Sequence, residues 1–172
     1  MLTYRLAVKA DIDNIVKLVE SAYRGDSSRQ GWTTEADFIA GQRTDRQEIM
    51  EILAKPDHVI LLCEYRSRLM ASVQLNRDSA KAYLGMFAVE PPKQGQGIGL
   101  SLLKQAESYV LKEWGSVALN MRVISTREEL INWYCRHGYE KTGKSTPFPY
   151  AEPRYGIPNR DDLELETLEK KL

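Results

Sequence analysis

The sequence lacks a cysteine framework, a charge surplus and any long apolar run. Cys63 and Cys135 have no metal-ligand spacing, and 24 basic residues balance 24 acidic ones among 172. No apolar run approaches the roughly 20 residues that span a bilayer, and no repeat or low-complexity tract is present. A neutral chain does not favour a nucleic-acid or membrane partner. We therefore expect a single domain over residues 1–172 whose partner is a small molecule.

No secretory leader precedes the first strand-like segment, residues 3–6, so the expected location is the cytoplasm. The next apolar positions recur at helical spacing through Tyr23, with Asp11 as the expected N-cap. Short helices are predicted at residues 35–40 and 46–55.

β-type patterns follow and predict a meander of three antiparallel strands, at residues 59–64, 69–75 and 82–89. A helix from Ile98 to about Gly115 then leads to a strand at 117–123, which should run parallel to the strand before it because a helical crossover joins the two. Further elements are a helix opened by a capping box of Ser125 and Glu128, a strand from Tyr139, and a strand at residues 163–168. The fold class is thus α/β (α+β), with a mixed, mostly antiparallel central sheet flanked by helices.

The stretch from Met86 to Gly99 carries the clearest functional signal. A strand runs into a turn with Gly95, Gly97 and Gly99, and the turn opens a helix. Exposed amides at a helix start, aided by the helix dipole, favour phosphate oxygens, and glycines allow a ligand to approach the backbone closely. The sequence therefore predicts a phosphate-binding turn in the middle of the sheet.

Two common phosphate motifs do not account for this stretch. A dinucleotide fold needs a third glycine where Leu100 stands, and the turn follows an antiparallel meander. The letters of a nucleoside-triphosphate loop occur between Gly138 and Ser145, but that segment follows a helix and runs into Pro147. A phosphate loop should instead follow a strand and open a helix, so this match is interpreted as an ordinary loop.

Two segments together resemble the GNAT superfamily of N-acetyltransferases. The first is Gln94-x-x-Gly97-x-Gly99 after a strand ending in Val89, and the second is the later segment from Trp133 to Tyr139. The order of elements over roughly residues 3–145 is also similar to that superfamily. The resemblance implies a GNAT-like acyl-CoA-binding fold, with acetyl-CoA as co-substrate and direct transfer to a primary amine of a small molecule or peptide.

The resemblance also implies site residues. The backbone of the strand end would bind the pantetheine arm, and the turn would bind the pyrophosphate, which gives the cofactor set Phe87, Ala88, Val89, Gln94, Gly95, Gln96, Gly97, Ile98, Gly99 and Leu100. Gln94 would brace the turn. Tyr134 matches the family tyrosine near the cofactor sulfur, where a phenol can protonate the leaving thiolate, and it is the candidate catalytic residue.

The acceptor side is less determined by the sequence. Some family members have a glutamate base where this chain has Tyr83, so base duty stays open between water, Tyr83 and an acid such as Asp26 or Glu35. Trp32 and Tyr83 are the candidate substrate-binding residues. Arg127 stands where many members have an asparagine, and it is left out of the predicted site.

Other residues have ordinary structural interpretations, and the function has an alternative. His58 and His137 need no catalytic role, no metal site is expected, and Cys135 is predicted to be a small buried residue. The rival to an enzyme is a non-catalytic acyl-CoA sensor or interaction module, since the expected glutamate is missing. The acceptor amine, the acyl-chain length and the presence of a homodimer are left open by the sequence.

Overall fold

The computed structural model describes residues 1–172 and contains a seven-stranded sheet and a two-stranded sheet. The strands are β1 (Leu2–Leu6), β2 (Ile39–Ala40), β3 (His58–Tyr65), β4 (Arg68–Asp78), β5 (Lys81–Val89), β6 (Ala118–Ile124), β7 (Glu140–Pro147), β8 (Ile157–Pro158) and β9 (Glu164–Lys171). The helices are α1 (Ile12–Tyr23), α2 (Gly25–Ser28), α3 (Arg46–Ala54), α4 (Ile98–Trp114) and α5 (Glu128–Arg136).

The large sheet has the strand order β1-β3-β4-β5-β6-β9-β7. Every neighbouring pair is antiparallel except β5 and β6, which run parallel because α4 crosses over between them. This arrangement confirms the predicted mixed, mostly antiparallel sheet flanked by helices. It places β5, the strand that feeds the glycine turn, fourth of seven.

A bulge in β5 opens the sheet at its centre. The β4–β5 register shifts between Ser72 and Gln74, and Met86 takes a positive φ of 48°. Beyond Leu84 the strand no longer pairs with β6. A bulge turns a strand and disrupts its ladder, so the two parallel strands separate over the second half of β5.

The same bulge reverses which face of the sheet each side chain of β5 meets. Ala82 and Leu84 are buried in the cluster that contains α4, whereas Met86 and Ala88 are buried against α1 and α3. An unbroken strand would keep all four residues on one face, because the side-chain period is two. The extra residue thereby turns Phe87 toward the α4 side, beside the glycine turn.

The predicted helix at residues 35–40 is wrong. This segment forms turns and the short strand β2, which pairs with β8. Ile39 is buried in a small cluster with Ile124, Phe148 and Leu163. Contacts with residues distant in the sequence override the local helical preference here.

Three local predictions also need correction. The side chain of Asp11 does not cap α1; it accepts a bond from the Val8 amide and pairs with Arg5. The predicted Ser125–Glu128 capping box does not form, because α5 starts at Glu128 with no side-chain cap, and the Ser125 amide bonds to the last strand. Cys135 is exposed rather than buried, since it is turned about 100° around α5 from the buried Tyr134.

The segment with the letters of a nucleoside-triphosphate loop runs from the end of α5 into β7 and opens no helix. All residues of this strand are exposed. No helix in the structure combines the length and apolar character that crossing a membrane requires.

Candidate functional site

The glycine turn, Gln94–Gly99, connects a 3-10 turn after β5 to the start of α4. Gly95 and Gly97 take φ values of 76° and 82°, a conformation that residues with a Cβ adopt at a cost. A Cβ built on either glycine would meet no atom within 4 Å. The positive φ values therefore explain the glycines, and the space in front of the turn is open to a ligand.

Six consecutive backbone amides of the turn, those of residues 95–100, donate to no acceptor within the protein. The first intrahelical bond of α4 runs from the Ser101 N–H to the Gly97 carbonyl at 3.0 Å. Free amides at a helix start, together with the positive end of the helix dipole, form an anion site. This turn can bind phosphate oxygens through the backbone alone.

Gln94 holds the turn in place from behind. Its side-chain amide donates to the Val89 carbonyl at 3.2 Å and accepts from the Trp32 N–H at 3.1 Å. A Cβ on Gly31 would lie 2.2 Å from its side-chain oxygen, so that glycine is required for the approach. Gln94 thus ties the strand, the turn and the loop around Trp32 together.

A cavity of about 340 Å³ lies in front of the turn, and we call it the glycine-turn cavity. It is lined by the predicted residues Phe87, Val89, Gln94, Gly95, Gly97, Gly99 and Leu100. Aromatic side chains from two segments add a further wall: Trp32, Trp133, Tyr134 and His137. The shape and chemistry suit a ligand with an anionic end and a long, less polar arm.

Three residues of the predicted cofactor set do not line this cavity with side chains. Ala88 is 1% exposed and packs against α1, and Ile98 is buried in the core. The Gln96 side chain donates to the Pro92 carbonyl. Gln96 and Ile98 contribute backbone amides to the free set, whereas Ala88 pairs opposite Ser72 of β4.

The end of β5 directs backbone groups toward the cavity. The Glu90 N–H bonds to the Met70 carbonyl of β4, so the preceding residue, Val89, points its N–H and carbonyl the other way. The Phe87 carbonyl accepts a bond of 3.0 Å from the Tyr23 hydroxyl. These contacts fix the strand edge that the glycine-turn cavity exposes.

A second cavity, of about 580 Å³, occupies the opening between β5 and β6, and we call it the inter-strand cavity. Tyr83, which the sequence predicts as a substrate contact, lines this cavity, and its hydroxyl accepts a bond of 2.8 Å from Arg122. Trp32, the other predicted substrate contact, lies instead at the glycine-turn cavity, 6.4 Å from Trp133 between ring centroids.

The two cavities meet at residues that line both of them: Tyr23, Phe87, Arg127, Leu130 and Tyr134. Tyr134 is 3% exposed, and its hydroxyl makes no hydrogen bond within the protein. Burial, with a further contribution from Tyr23, raises the pKa of Tyr134 well above its usual value despite the nearby Arg127. Tyr134 is therefore a protonated phenol with a free donor at the junction.

Glu35 lies next to the junction, between two buried arginines. Its carboxylate pairs with Arg24 at 2.7 Å and with Arg127 at 2.9 Å. Burial alone would raise the pKa of Glu35, but Arg127, Arg24 and Arg43 outweigh burial and lower it. A carboxylate held in the charged form by two ion pairs is a poor proton acceptor, which argues against Glu35 as the base.

Replacing Glu35 by glutamine is expected to lower the free energy of unfolding by about 3 kcal/mol, because it leaves two buried guanidinium groups without a counter-charge. Urea denaturation measures this. Glu51→Gln is the matched control, since it breaks a partly exposed pair with Arg154 that should contribute about 1 kcal/mol or less. Equal losses in the two variants would contradict the assigned role of the network.

Acid should weaken the same network. Because the folded-state pKa of Glu35 is below the ordinary 4.5, its stabilising contribution is complete above about pH 4.5 and is lost as the pH falls further. The difference in unfolding free energy between wild type and Glu35→Gln should therefore shrink below pH 4.5. A difference that stays constant down to pH 3 would count against this pKa shift.

The other acids near the site are also occupied or distant. Asp26, an open candidate for the base, is fully exposed and lines neither cavity. Glu48 accepts from the Thr44 hydroxyl, and Glu51 pairs with Arg154. Of the three acids that line the inter-strand cavity, Glu35 and Glu51 are therefore held in ion pairs, and Glu48 is held by a hydroxyl.

Sequence reasoning missed three residues of the junction region. The sequence patterns place Tyr23 only on the apolar face of α1, leave Arg127 out of the predicted site, and do not single out Arg43. Arg127 is 6% exposed and contacts Glu35 and Thr33, which lie far from it in the sequence. No motif marks such contacts, and only the departure at Arg127 from the superfamily pattern could have drawn attention to it.

The sequence matches the family model described as an acetyltransferase (GNAT) domain over residues 23–148. This interval contains the glycine turn, both tyrosines of the junction and Arg127. No curated protein matches the sequence.

Solved structures with this fold are similar along nearly the whole chain. The ribosomal-protein-S18-alanine N-acetyltransferase from Escherichia coli aligns with a TM-score of 0.71 and 14% identity, covering 99% of this chain and 94% of that one. A putative phosphinothricin N-acetyltransferase aligns with a TM-score of 0.73 and 17% identity, covering 100% and 99%. Spermidine N-acetyltransferase from Vibrio cholerae, in complex with CoA and spermine, gives 0.72 and 15%, covering 99% and 95%.

Proposed function

The chain belongs to the GNAT acetyltransferase family, and from that premise we propose that it transfers the acetyl group of acetyl-CoA directly to a primary amine of a small molecule or peptide. The observation that carries this proposal is the junction, where Tyr134 lies between a cavity with six free amides and a second cavity of sufficient size for an acceptor. Neighbours of the same fold are named for acetylation of different amines, so the acceptor must follow from this chain's own residues.

The cofactor side of the proposal rests on the glycine turn. The amides of residues 95–100 would bind the pyrophosphate oxygens, and Arg136, which lines the same cavity and makes no ion pair, would add a positive charge. The aromatic wall and the Val89 edge would contact the pantetheine arm. Acetyl-CoA supplies the reactive acetyl thioester to the junction.

The residues of the junction would then act on the bonds that change. The acceptor nitrogen forms a C–N bond to the carbonyl carbon, and the C–S bond breaks. The Val89 amide would stabilise the oxyanion, and the Tyr134 hydroxyl would give its proton to the departing thiolate. The proton released by the amine goes to water, because Glu35 and Glu51 are held in ion pairs and Glu48 accepts from the Thr44 hydroxyl. Water then returns a proton to the Tyr134 phenolate.

With proton transfer to water, the ionisation of the acceptor amine itself should govern the rate. We expect kcat/KM to rise tenfold per pH unit below the pKa of the acceptor amine and to level off above it, since only the neutral amine attacks. Two acceptors of different amine pKa should show plateaus displaced by that difference. A plateau at one fixed pH for both acceptors would instead indicate a base on the enzyme.

No acid is among the residues that line both cavities, and this favours one other candidate, a non-catalytic acyl-CoA sensor. Isothermal calorimetry with acetyl-CoA tests the part common to both, and the absence of binding by folded protein would refute both. Release of free CoA thiol with a panel of amino acids, polyamines, aminoglycosides and peptides separates them. Turnover that depends on the Tyr134 hydroxyl supports the enzyme, whereas binding without turnover by any amine supports the sensor.

A further inference from the structure

The inter-strand cavity has an excess of positive charge. Six basic side chains line it, Arg24, Arg43, Lys55, Arg122, Arg127 and Arg154, against three acidic ones, Glu35, Glu48 and Glu51. Two of the acids are already neutralised by ion pairs, Glu35 with Arg24 and Arg127, and Glu51 with Arg154. A cavity with this balance repels a polycation and attracts an anion.

Arg43 lines the inter-strand cavity with a buried donor that has no partner. Its guanidinium pairs with no carboxylate and makes no hydrogen bond, and its Nη1 is buried from solvent. The guanidinium packs between two aromatic rings, with its Cζ atom 5.3 Å from the ring centroid of Tyr23 and 5.7 Å from that of Tyr155. A buried donor without an acceptor destabilises the protein. An oxyanion of a ligand could accept a hydrogen bond from this donor.

The surroundings of Arg43 fix its direction. Its backbone amide donates to the Glu20 carboxylate at 2.7 Å, which anchors the chain at this point. Glu35 lies close enough to Arg43 to feel its charge, but both oxygens of Glu35 already accept from Arg24 and Arg127. The Nε atom of Arg127 is a second buried donor without a partner. Protein groups therefore do not satisfy this cluster.

Arg43 is also near the reacting centre. The Tyr23 ring on which it packs lines both cavities, and the Tyr23 hydroxyl bonds to the Phe87 carbonyl at the junction. The Arg43 guanidinium thus contacts one of the residues that form the junction. The amine of a ligand whose anion binds Arg43 must lie only a few bonds from that anionic group.

We propose that the acceptor is a small amino acid, meaning an amine with a carboxylate or similar oxyanion a few bonds from the nitrogen, and that Arg43 binds the oxyanion. This inference rests on the proposed function and names its acceptor class. Arg43 is a specificity residue in this scheme: the anion binds its guanidinium, and the neutral amine points to Tyr134. Polyamines are poor acceptors.

Binding titrations test this proposal independently of turnover. The 20 proteinogenic amino acids and small aminophosphonates are titrated by calorimetry into the protein saturated with CoA. The best ligand is then compared with its decarboxylated amine and its carboxamide. We expect the acid to bind about 10- to 100-fold more tightly than the decarboxylated amine or the carboxamide. This ratio corresponds to the free energy of hydrogen bonds with charged groups. The aminophosphonate arm tells whether carboxylate or phosphonate is preferred.

Substitutions at Arg43 assign the effect to this residue. Arg43→Met keeps an apolar stem against the two rings and should remove most of the preference for the acid, while acetyl-CoA affinity stays unchanged. Arg43→Lys should keep part of the preference for the acid. Arg77→Met is the control, since Arg77 is exposed and lines neither cavity.

The outcomes separate the two proposals. If acetyl-CoA does not bind, the proposed function fails. If acetyl-CoA binds but the decarboxylated amines bind as tightly as the acids, or no amino acid or aminophosphonate binds at millimolar concentration, the inference about the acceptor is overturned alone. An acid preference that survives in Arg43→Met overturns the role of Arg43.

Discussion

Replacing Gly97 by glutamate is expected to weaken acetyl-CoA binding by about 1,000-fold, the equivalent of losing two or three hydrogen bonds to charged oxygens. A side chain at Gly97 enters the open space in front of the turn, where no protein atom lies within 4 Å. The new carboxylate would occupy the free amides of residues 95–100 and repel the pyrophosphate. Calorimetric titration with acetyl-CoA measures the loss.

The same chain offers a matched control at the other end of α4. Gly115 also has a left-handed backbone, with φ of 63°, and a Cβ there also meets no atom within 4 Å. Gly115→Glu therefore carries similar backbone strain, about 1–2 kcal/mol, without touching the free amides. It should melt at a temperature at or below that of Gly97→Glu and bind acetyl-CoA normally. Normal binding by Gly97→Glu would refute the assignment of the turn.

Structural elements that depend on neighbouring residues in the sequence could be predicted. The glycine turn is one, because positive φ and close approach are demands on the backbone that glycine answers at fixed positions. The parallel placement of β6 is another, because a helical crossover from β5 leaves little choice. The turn and its place in the sheet followed from adjacent residues.

The bulge in β5 could not be predicted, although it opens the site. Met86, which has the positive φ, is not a residue type that marks such a conformation. The uninterrupted alternation of residues 82, 84, 86 and 88 instead predicts one continuous face. Only the packing of Met86 and Ala88 against α1 and α3 reveals the reversal.

The charged network around the junction could not be predicted from the sequence for a related reason. Arg24, Glu35 and Arg127 come from three separate segments, and each has a buried side chain that depends on the others. From composition and periodicity alone, a charged residue is expected to lie on the surface in contact with water. The sequence could therefore name Glu35 as one acid among several, but it could not tell that two arginines make it unsuitable as a base.

Replacing Tyr134 by phenylalanine is expected to lower kcat by about 100-fold, within the range that general acid catalysis contributes, while acetyl-CoA affinity stays the same. The change removes one hydroxyl that bonds to no protein group, so neither the packing of the ring nor the fold depends on it. Steady-state thiol release gives kcat, and calorimetry gives the affinity. The pair of measurements separates a chemical defect from a binding defect.

Tyr139→Phe is the control for Tyr134→Phe. Tyr139 is another buried tyrosine, with its ring centroid 5.6 Å from that of Tyr134, but its hydroxyl donates to Glu107 away from both cavities. This variant should keep its kcat. Since burial raises the pKa of Tyr134 above the ordinary 10, the wild-type rate should not decline through loss of its proton below pH 10. A kcat unchanged in Tyr134→Phe, or lowered equally in both variants, would show that the thiolate leaves without help from this phenol.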